Sequence, residues 1–280
     1  PAMSTAPASD TPSPAVPYRL GYIWMISLVA ALGGLLFGYD WVVIGGAKPF
    51  FEAFFGIARD AVVDGAVKTV TNDTLSGWVN SCALLGCLLG SLVTGGLSDR
   101  FGRKRLLIPA AALFAVSSVL TGWAPALGWF IVWRVLGGVA IGMASNLSPM
   151  YIAEVAPSHL RGRLVAVNQL TIVIGILLAM VVNWQIAGTV PKDATVESLR
   201  SSWHGAYAWR WMFTAVTVPS LLFFAGALLI PESPRWLVKN GRADRARAAL
   251  ARIGGEIHAA AAVRDIAATI AADEVQRVRF

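Results

Sequence analysis

The stretch LVAVNQLTIVIGILLAMVVNW, residues 164–184, is almost entirely apolar and contains no charged side chain. About 20 residues of helix cross a lipid hydrocarbon core, and a single segment can satisfy its own backbone groups there only as a helix. Blocks of this kind occur six times, at about 21–47, 77–97, 106–123, 129–151, 164–184 and 211–230. Their residues do not alternate between apolar and polar as barrel strands do. The sequence therefore predicts an all-α integral membrane protein with six transmembrane helices over 20–230.

The composition of the whole chain supports this fold class. Of the 280 residues, 56% are hydrophobic and 14% are charged, and the mean hydropathy is +0.62. Soluble domains carry about 25% charged residues, and disordered chains have low hydrophobicity. The 2 cysteines and 3 histidines lack metal-ligand spacing, and the sequence has no phosphate-binding loop, HExxH pair or nucleophile motif. We expect no metal site, no bound cofactor and no enzymatic activity.

The basic residues indicate the topology. Of the 23 Lys and Arg residues, sixteen fall before span one, between spans two and three, between spans four and five, or after span six, whereas six fall in the opposite segments. The positive-inside rule then places both termini in the cytoplasm of a multi-pass cell (inner) membrane protein, so the basic charge needs no nucleic-acid partner. Residues 1–19 are predicted to be a flexible cytoplasmic tail. Residues 231–280 are predicted to be a cytoplasmic amphipathic linker, with short helices at 242–253 and 256–274.

Two opposite charges lie well inside apolar blocks, Asp40 in span one and Arg134 in span four. Inserting one such charge at the centre of a transmembrane helix costs about 2.5–3.5 kcal/mol even on the scale that gives the smallest values. We therefore expect the two side chains to meet inside the bundle. One interpretation is a structural ion pair that fixes two helices. The other is a proton or substrate relay, in which helix movement separates the pair and lets Asp40 take up a proton.

Small residues occur at four-residue spacing in the same two spans, as Gly34 with Gly38 and Gly138 with Gly142. This spacing lets helix backbones approach closely in membranes. Spans one and four would also be corresponding members if the six helices formed two inverted triplets, a 3+3 inverted repeat.

Several motifs now point to a known family. The segments GGLLFGYD (33–40), GGLSDRFGRKR (95–105), RVLGGVAIG (134–142), SPMYIAEVAPSHLRGRL (148–164) and PESPRWL (231–237) resemble the sugar porters of the major facilitator superfamily, in the family's order. The resemblance implies twelve helices in two six-helix halves that hold a monosaccharide, a pentose or hexose, between them. This chain resembles the N-terminal half, so we expect a half-transporter fragment that needs the missing C-terminal six-helix half, besides the lipid bilayer, as partners. We expect no transport by this chain alone.

The resemblance also implies roles for single residues. Phe37, Gln169 and Ile172 match positions that line the sugar site. Asp40 matches the acid that carries the proton in bacterial sugar–proton symporters, and Arg134 its partner, so protons would be the coupling ion. Passive facilitators have Asn at that position, which favours symport, although facilitated diffusion and a non-transporting membrane sensor or scaffold remain alternatives. Trp41 departs from the small residue usual after the acid, and the long outward loop at 48–76 has no assigned role.

A charged set on the cytoplasmic side resembles the family's salt-bridge gate, which holds the outward-open state. Within it, the two glycines are expected to allow close packing and a tight turn. The residues expected to form this gate are Gly95, Asp99, Arg100, Gly102, Arg103, Lys104, Glu154, Arg161, Arg163, Glu232 and Arg235.

Overall fold

The computed structural model describes residues 18–63, 66–188, 190 and 195–277. Six segments in this part of the chain are long and apolar enough to cross a membrane, which confirms the six predicted spans. They are α1 (Leu20–Phe54), α2 (Asp73–Phe101), α3 (Arg103–Gly122), α4 (Leu127–Val155), α5 (Ser158–Ala187) and the sixth span, His204–Leu229. Each begins before its predicted first residue, because the helices continue beyond their apolar cores. The predicted flexible tail lies outside the described residues, except for its last two positions.

The bundle is built from two helix pairs in very close contact, α1 with α5 and α4 with α2. A Cβ added at Gly38 in α1 would lie 2.0 Å from the carbonyl oxygen of Ile172 in α5. A Cβ at Gly138 in α4 would lie 2.0 Å from the carbonyl oxygen of Ala83 in α2. The predicted close approach at these glycines is therefore confirmed, and any larger residue would push the helices apart.

The same two pairs reveal the internal symmetry of the bundle. If α1 corresponds to α4 and α2 to α5, the α1–α5 pair maps onto the α4–α2 pair. The outer helices follow the same rule, since α3 packs on α4 and the sixth span packs on α1. This arrangement fits the predicted 3+3 inverted repeat.

The segment between α1 and α2 corrects the all-helical prediction. After α1 ends, β1 (Ala58–Val63) pairs antiparallel with β2 (Ala66–Thr71), in a register that joins Ala58 to Thr71. The Asp60 carboxylate accepts a hydrogen bond from the backbone N–H of Glu197, in the short helix α6 (Val196–Ser201), at 3.0 Å. We refer to this side of the bundle, marked by 58–71, as the hairpin end.

The sixth span and the tail complete the structure. A π-helical turn (His204–Ala208) is followed by α7 (Trp209–Ala215) and α8 (Thr217–Leu229). Helices α9 (Pro234–Lys239) and α10 (Ala243–Arg277) follow and define the tail end of the bundle.

Helix α10 is broken where two separate helices were predicted. Gly254 and Gly255 have non-helical dihedrals, and φ at Gly255 is +78°, in the left-handed region that favours glycine. The Arg19 N–H donates to the carbonyl of Ile253, which fixes the start of α1 to this break, at 2.8 Å. The apolar side chain of Ile257, just after the break, is 87% exposed.

Candidate functional site

The two membrane charges meet, as predicted. Nη1 of Arg134 lies 2.5 Å from Oδ1 of Asp40, and the side chains are only 6% and 13% exposed. The Arg134 guanidinium also lies 5.3 Å from the centre of the Phe213 ring on α7, close enough for a cation–π contact. Its buried Nε has no hydrogen-bond partner among the described residues. Removing either charge would therefore leave the other buried and poorly compensated.

The ion pair lies between two voids. A cavity of about 210 Å³ on one side is lined by α1, α2 and α4, including Phe37, Trp41 and Asn80. On the other side is a void of about 10 Å³ against α3 and α7, lined in part by Ser117. A void of that size corresponds to about one water molecule. The Asp40 carboxylate borders both spaces.

The predicted sugar-site residues are only partly brought together. Phe37 lines the larger cavity with Asp40, and its ring lies 6.4 Å from the ring of Trp41 in an edge-to-face arrangement. Gln169 is exposed on α5 and Ile172 is half-buried there, and neither lines this cavity. Ile172 is nevertheless in register with Phe37, because its carbonyl lies against Gly38. Phe37 and Ile172 thus lie at the same level of the bundle.

At the tail end, Arg103 is the centre of a buried network. Its Nη2 lies 2.9 Å from Oε1 of Glu154, and its Nη1 lies 3.3 Å from Oδ1 of Asp99 and donates to the carbonyl of Ser98 at 2.9 Å. The other Glu154 oxygen accepts a hydrogen bond from Ser233 Oγ. These contacts join the end of α2, the start of α3, the end of α4 and the turn before α9.

Glu232 closes the same network through backbone groups. Its Oε1 accepts hydrogen bonds from the N–H groups of Arg103, Lys104 and Ser233, each at 2.9 Å. The carboxylate therefore satisfies free N–H groups at the positive end of α3. Gly102 has φ +100°, and a Cβ there would lie 2.5 Å from Oε2 of Glu232. The predicted tight turn at Gly102 is confirmed, and it also makes room for this carboxylate.

An aromatic contact joins the tail to the bundle. The Tyr18 ring lies 5.1 Å from the ring of His159, at the start of α5, and 5.1 Å from the ring of His258 in α10. Partial burial lowers the pKa of His258 below its ordinary value. Protonation of His258 therefore opposes this packing.

Comparison with known proteins identifies the family. A family model for sugar (and other) transporters matches residues 26–278. The chain belongs to this sugar transporter family. It is 42% identical over 258 residues to the glucose transport protein of Synechocystis, covering 91% of this chain and 51% of that protein. It is 39% identical over 268 residues to the D-xylose-proton symporter of Escherichia coli, covering 89% of this chain and 51% of that protein.

Comparison with a solved structure identifies the fold of the chain. The chain superposes with a TM-score of 0.78 and 38% identity on the major facilitator superfamily proton:xylose symporter XylE bound to 6-bromo-6-deoxy-D-glucose, covering 89% of this chain and 53% of that one. The six-helix bundle is the N-terminal half of a major facilitator fold. The chain spans about half the length of the curated relatives it matches.

Three arginines of the predicted gate lie outside the network. Arg100, Arg161 and Arg163 are exposed and form no ion pair with any described residue. Arg235 is exposed on α9. The expectation of close packing at Gly95 is wrong within the described chain, because its Cβ position meets nothing within 4 Å.

Three residues of the network were not predicted from the sequence. Ser233 caps α9 and bonds to Glu154, Trp236 donates from Nε1 to the carbonyl of Asp99 at 2.9 Å, and Lys239 lies 3.0 Å from the Asp99 carboxylate. A Ser followed by Pro is a helix-start signal that indicates the cap. The contacts across the turn have no sequence signal.

Proposed function

We propose that the chain is one half of a sugar–proton symporter that carries a pentose or hexose across the cytoplasmic membrane by alternating access. The observation that carries this proposal is the buried ion pair between Asp40 and Arg134, which borders a cavity on one side and a water-sized void on the other. A purely structural pair needs neither space, and two packed apolar side chains would serve that purpose at lower cost.

The exposed polar residues on the face formed by α2, α4 and α5 favour packing of a second six-helix half against this face. Gln169 and Asn146 are exposed there, although each belongs to a membrane span. Polar side chains in a span normally face protein or a water-filled cavity, not lipid tails. We assign this face to the second six-helix half and to the sugar between the halves. No enzymatic step is part of the proposal.

Aromatic rings and side-chain amides would together form the sugar site. Phe37 and Trp41 offer apolar ring surface to the C–H faces of a sugar. The amides of Asn80 and Gln169 can each donate to and accept from hydroxyl groups. Gln169 would reach the sugar from the exposed α5 face, and Ile172 would supply an apolar contact at the level of Phe37. The second half would complete the hydroxyl contacts and determine which sugar fits.

Proton coupling would depend on the charge state of Asp40. As a carboxylate it holds the Arg134 guanidinium. When it takes up a proton the ion pair is lost, and Arg134 keeps only the Phe213 ring and whatever enters the adjacent void. A buried guanidinium with so few partners favours a shift of α4 relative to α1. This is the two-state element that couples protonation to opening of the bundle.

The network around Arg103 would act as the gate on the cytoplasmic side. It holds α2, α3 and α4 against the turn before α9, so its release would let these helices move at one end. We assign the tail end and both termini to the cytoplasm, because the positive-inside rule favours the side that carries most Lys and Arg residues.

Uptake and external pH test the proposal in the whole transporter, assembled from this chain and a second half. We expect added sugar to alkalinise a weakly buffered cell suspension, and Asp40→Asn to abolish this signal. Asp265→Asn, on the exposed side of α10, is the matched control and should behave as wild type. Uptake without alkalinisation, insensitive to a protonophore, would identify a passive facilitator. Absence of sugar binding would favour a sensor or scaffold, and uptake by this chain alone would refute the half-transporter proposal.

A further inference from the structure

A cavity at the tail end lies outside the proposed transport site. It has a volume of about 400 Å³, and it lies between the start of α3, the turn after the sixth span, α9 and the first part of α10. Ligand pockets commonly enclose about 300–1,000 Å³, so the space suits a small head group. Its charged lining is strongly basic. The charged residues of the lining are Lys104, Arg105, Glu232, Arg242, Arg245 and Arg252.

The one carboxylate in this lining is already engaged. Oε1 of Glu232 accepts three backbone N–H groups, including those of Arg103 and Lys104, at 2.9 Å. Lys104 Nζ donates to the carbonyl of Leu228 at 2.8 Å. The lining therefore carries five cationic side chains against one carboxylate, an excess of positive charge.

The arginines of the lining lack acidic partners. Arg105, Arg245 and Arg252 are exposed, and none forms an ion pair with any residue that the structure describes. Arg242 stacks over the Trp236 ring at 5.5 Å, again without a carboxylate. Nearby, Arg247 does have a carboxylate partner, because it forms an ion pair with Glu256 at 3.0 Å. The cavity is thus lined by four arginines that have no carboxylate partner within the described chain.

The sequence of α10 shapes the site. Arg245 and Arg252 are seven residues apart, which places them on one face of the helix, two turns from each other. Ala248 and Ala249 lie between them and also line the cavity. Small side chains there leave space between the two guanidinium groups. This spacing lets both groups reach one ligand.

We propose that this cavity binds a phosphate-bearing anion. Guanidinium groups match phosphate oxygens with paired, charge-assisted hydrogen bonds, and Arg suits this geometry better than Lys. Because bundle and tail both supply cations, the bound anion would offset their repulsion and hold α10 against the bundle. The cavity adjoins the first residues of α3 and the end of the sixth span, at the level of lipid head groups. The phosphate can come from an anionic lipid or from a soluble phosphate.

The experiment uses the 280-residue chain in nanodiscs. One arm compares pure phosphatidylcholine with phosphatidylcholine that contains about one part in five phosphatidylglycerol, and native mass spectrometry measures retained lipid. The other arm adds inorganic phosphate to phosphatidylcholine nanodiscs and measures Tm. The test variant is Arg245→Ala/Arg252→Ala. The control is Arg247→Ala/Arg264→Ala, which removes equal charge from the same helix outside the cavity.

Each arginine near an anionic phosphate contributes about fivefold in affinity. The test variant should therefore bind about 30-fold more weakly than wild type. The affinity of the control variant should stay within about twofold of wild type. If only phosphatidylglycerol shows this difference, the ligand is a lipid; if inorganic phosphate raises the Tm of wild type but not of the test variant, the ligand is soluble. Arg245→Lys/Arg252→Lys keeps the charge and should bind at an intermediate level, which checks the result if the alanine variant is poorly folded. Equal binding by wild type and test variant in both arms, or equal losses in test and control variants, would overturn the proposal.

Discussion

Glu154→Gln is the perturbation that tests the tail-end network most fully. Removing one partner of a buried ion pair costs about 3–5 kcal/mol when the remaining charge is left alone. Here Arg103 keeps the Ser98 carbonyl at 2.9 Å and the Asp99 carboxylate at 3.3 Å. The new amide still accepts from Ser233. We therefore expect about half of that cost, about 2 kcal/mol, which is about a 30-fold rise in the population of the opened network.

Alkylation of a reporter cysteine measures this population. Ser98 lies beneath the network and is 1% exposed, so Ser98→Cys introduces a thiol that reacts only when the network opens. Cys82, Cys87 and any cysteine of the second half are replaced by serine in every variant, so that a single thiol remains. In the whole transporter, Glu154→Gln should speed alkylation about 30-fold at the same reagent concentration.

Glu256→Gln is the matched control, because it removes one carboxylate from an ion pair whose side chains are 56% and 67% exposed. Exposed pairs contribute about 0–1 kcal/mol, so its alkylation rate should stay within a few-fold of wild type. An alkylation rate in Glu154→Gln equal to that of the control would refute the role of the Arg103–Glu154 contact in holding the tail end closed.

Three further predictions concern packing, the cavity and pH. Gly38→Val should sharply lower the yield of folded protein in gel filtration, because its Cβ would lie 2.0 Å from a carbonyl oxygen. Gly21→Ala is the control and should keep the wild-type yield, because its Cβ would have no neighbouring atom within 4 Å. Equal yields of the two variants would contradict the close contact. Trp41→Ala enlarges the cavity and should lower the KM for a hexose relative to that for a pentose in uptake assays; an unchanged ratio would exclude Trp41 from the site. Burial lowers the pKa of His258, so the folded tail binds fewer protons than the unfolded one, and its stability should fall as the pH drops below about 6.5. Hydrogen-exchange protection factors in α10 should show this loss in wild type and not in His258→Gln, and protection factors that stay constant with pH in both proteins would refute it.

The membrane helices could be predicted because lipid imposes a local rule. Each span must satisfy its own backbone groups, so blocks of apolar residues indicate helices without knowledge of their neighbours. The meeting of Asp40 and Arg134 followed from a similar argument, since two opposite charges in lipid are costly when separate. The glycine spacing in α1 and α4 also predicted close contacts. It did not say that these helices would pack on α5 and α2.

The errors arose where tertiary contacts decide the outcome. The strand pair at 58–63 and 66–71 was missed, although the sequence Asp-Gly at 64–65, a dipeptide typical of hairpin turns, separates two runs rich in Val. At the tail end, Ser233 and Trp236 join the network through a turn whose geometry no residue spacing predicts. Gln169 was expected to line the sugar site; it lies on the exposed face of α5, and its role there stays a prediction.

The central claim is that Asp40 takes up and releases a proton as the transporter works. Difference infrared spectroscopy of the whole transporter, recorded with and without sugar while the pH is lowered, measures it directly. We predict that the carbonyl band of a protonated carboxyl group appears with a sugar-dependent midpoint in wild type and is missing in Asp40→Asn. A band that persists in Asp40→Asn, or a midpoint that sugar leaves unchanged, would contradict proton coupling through this residue.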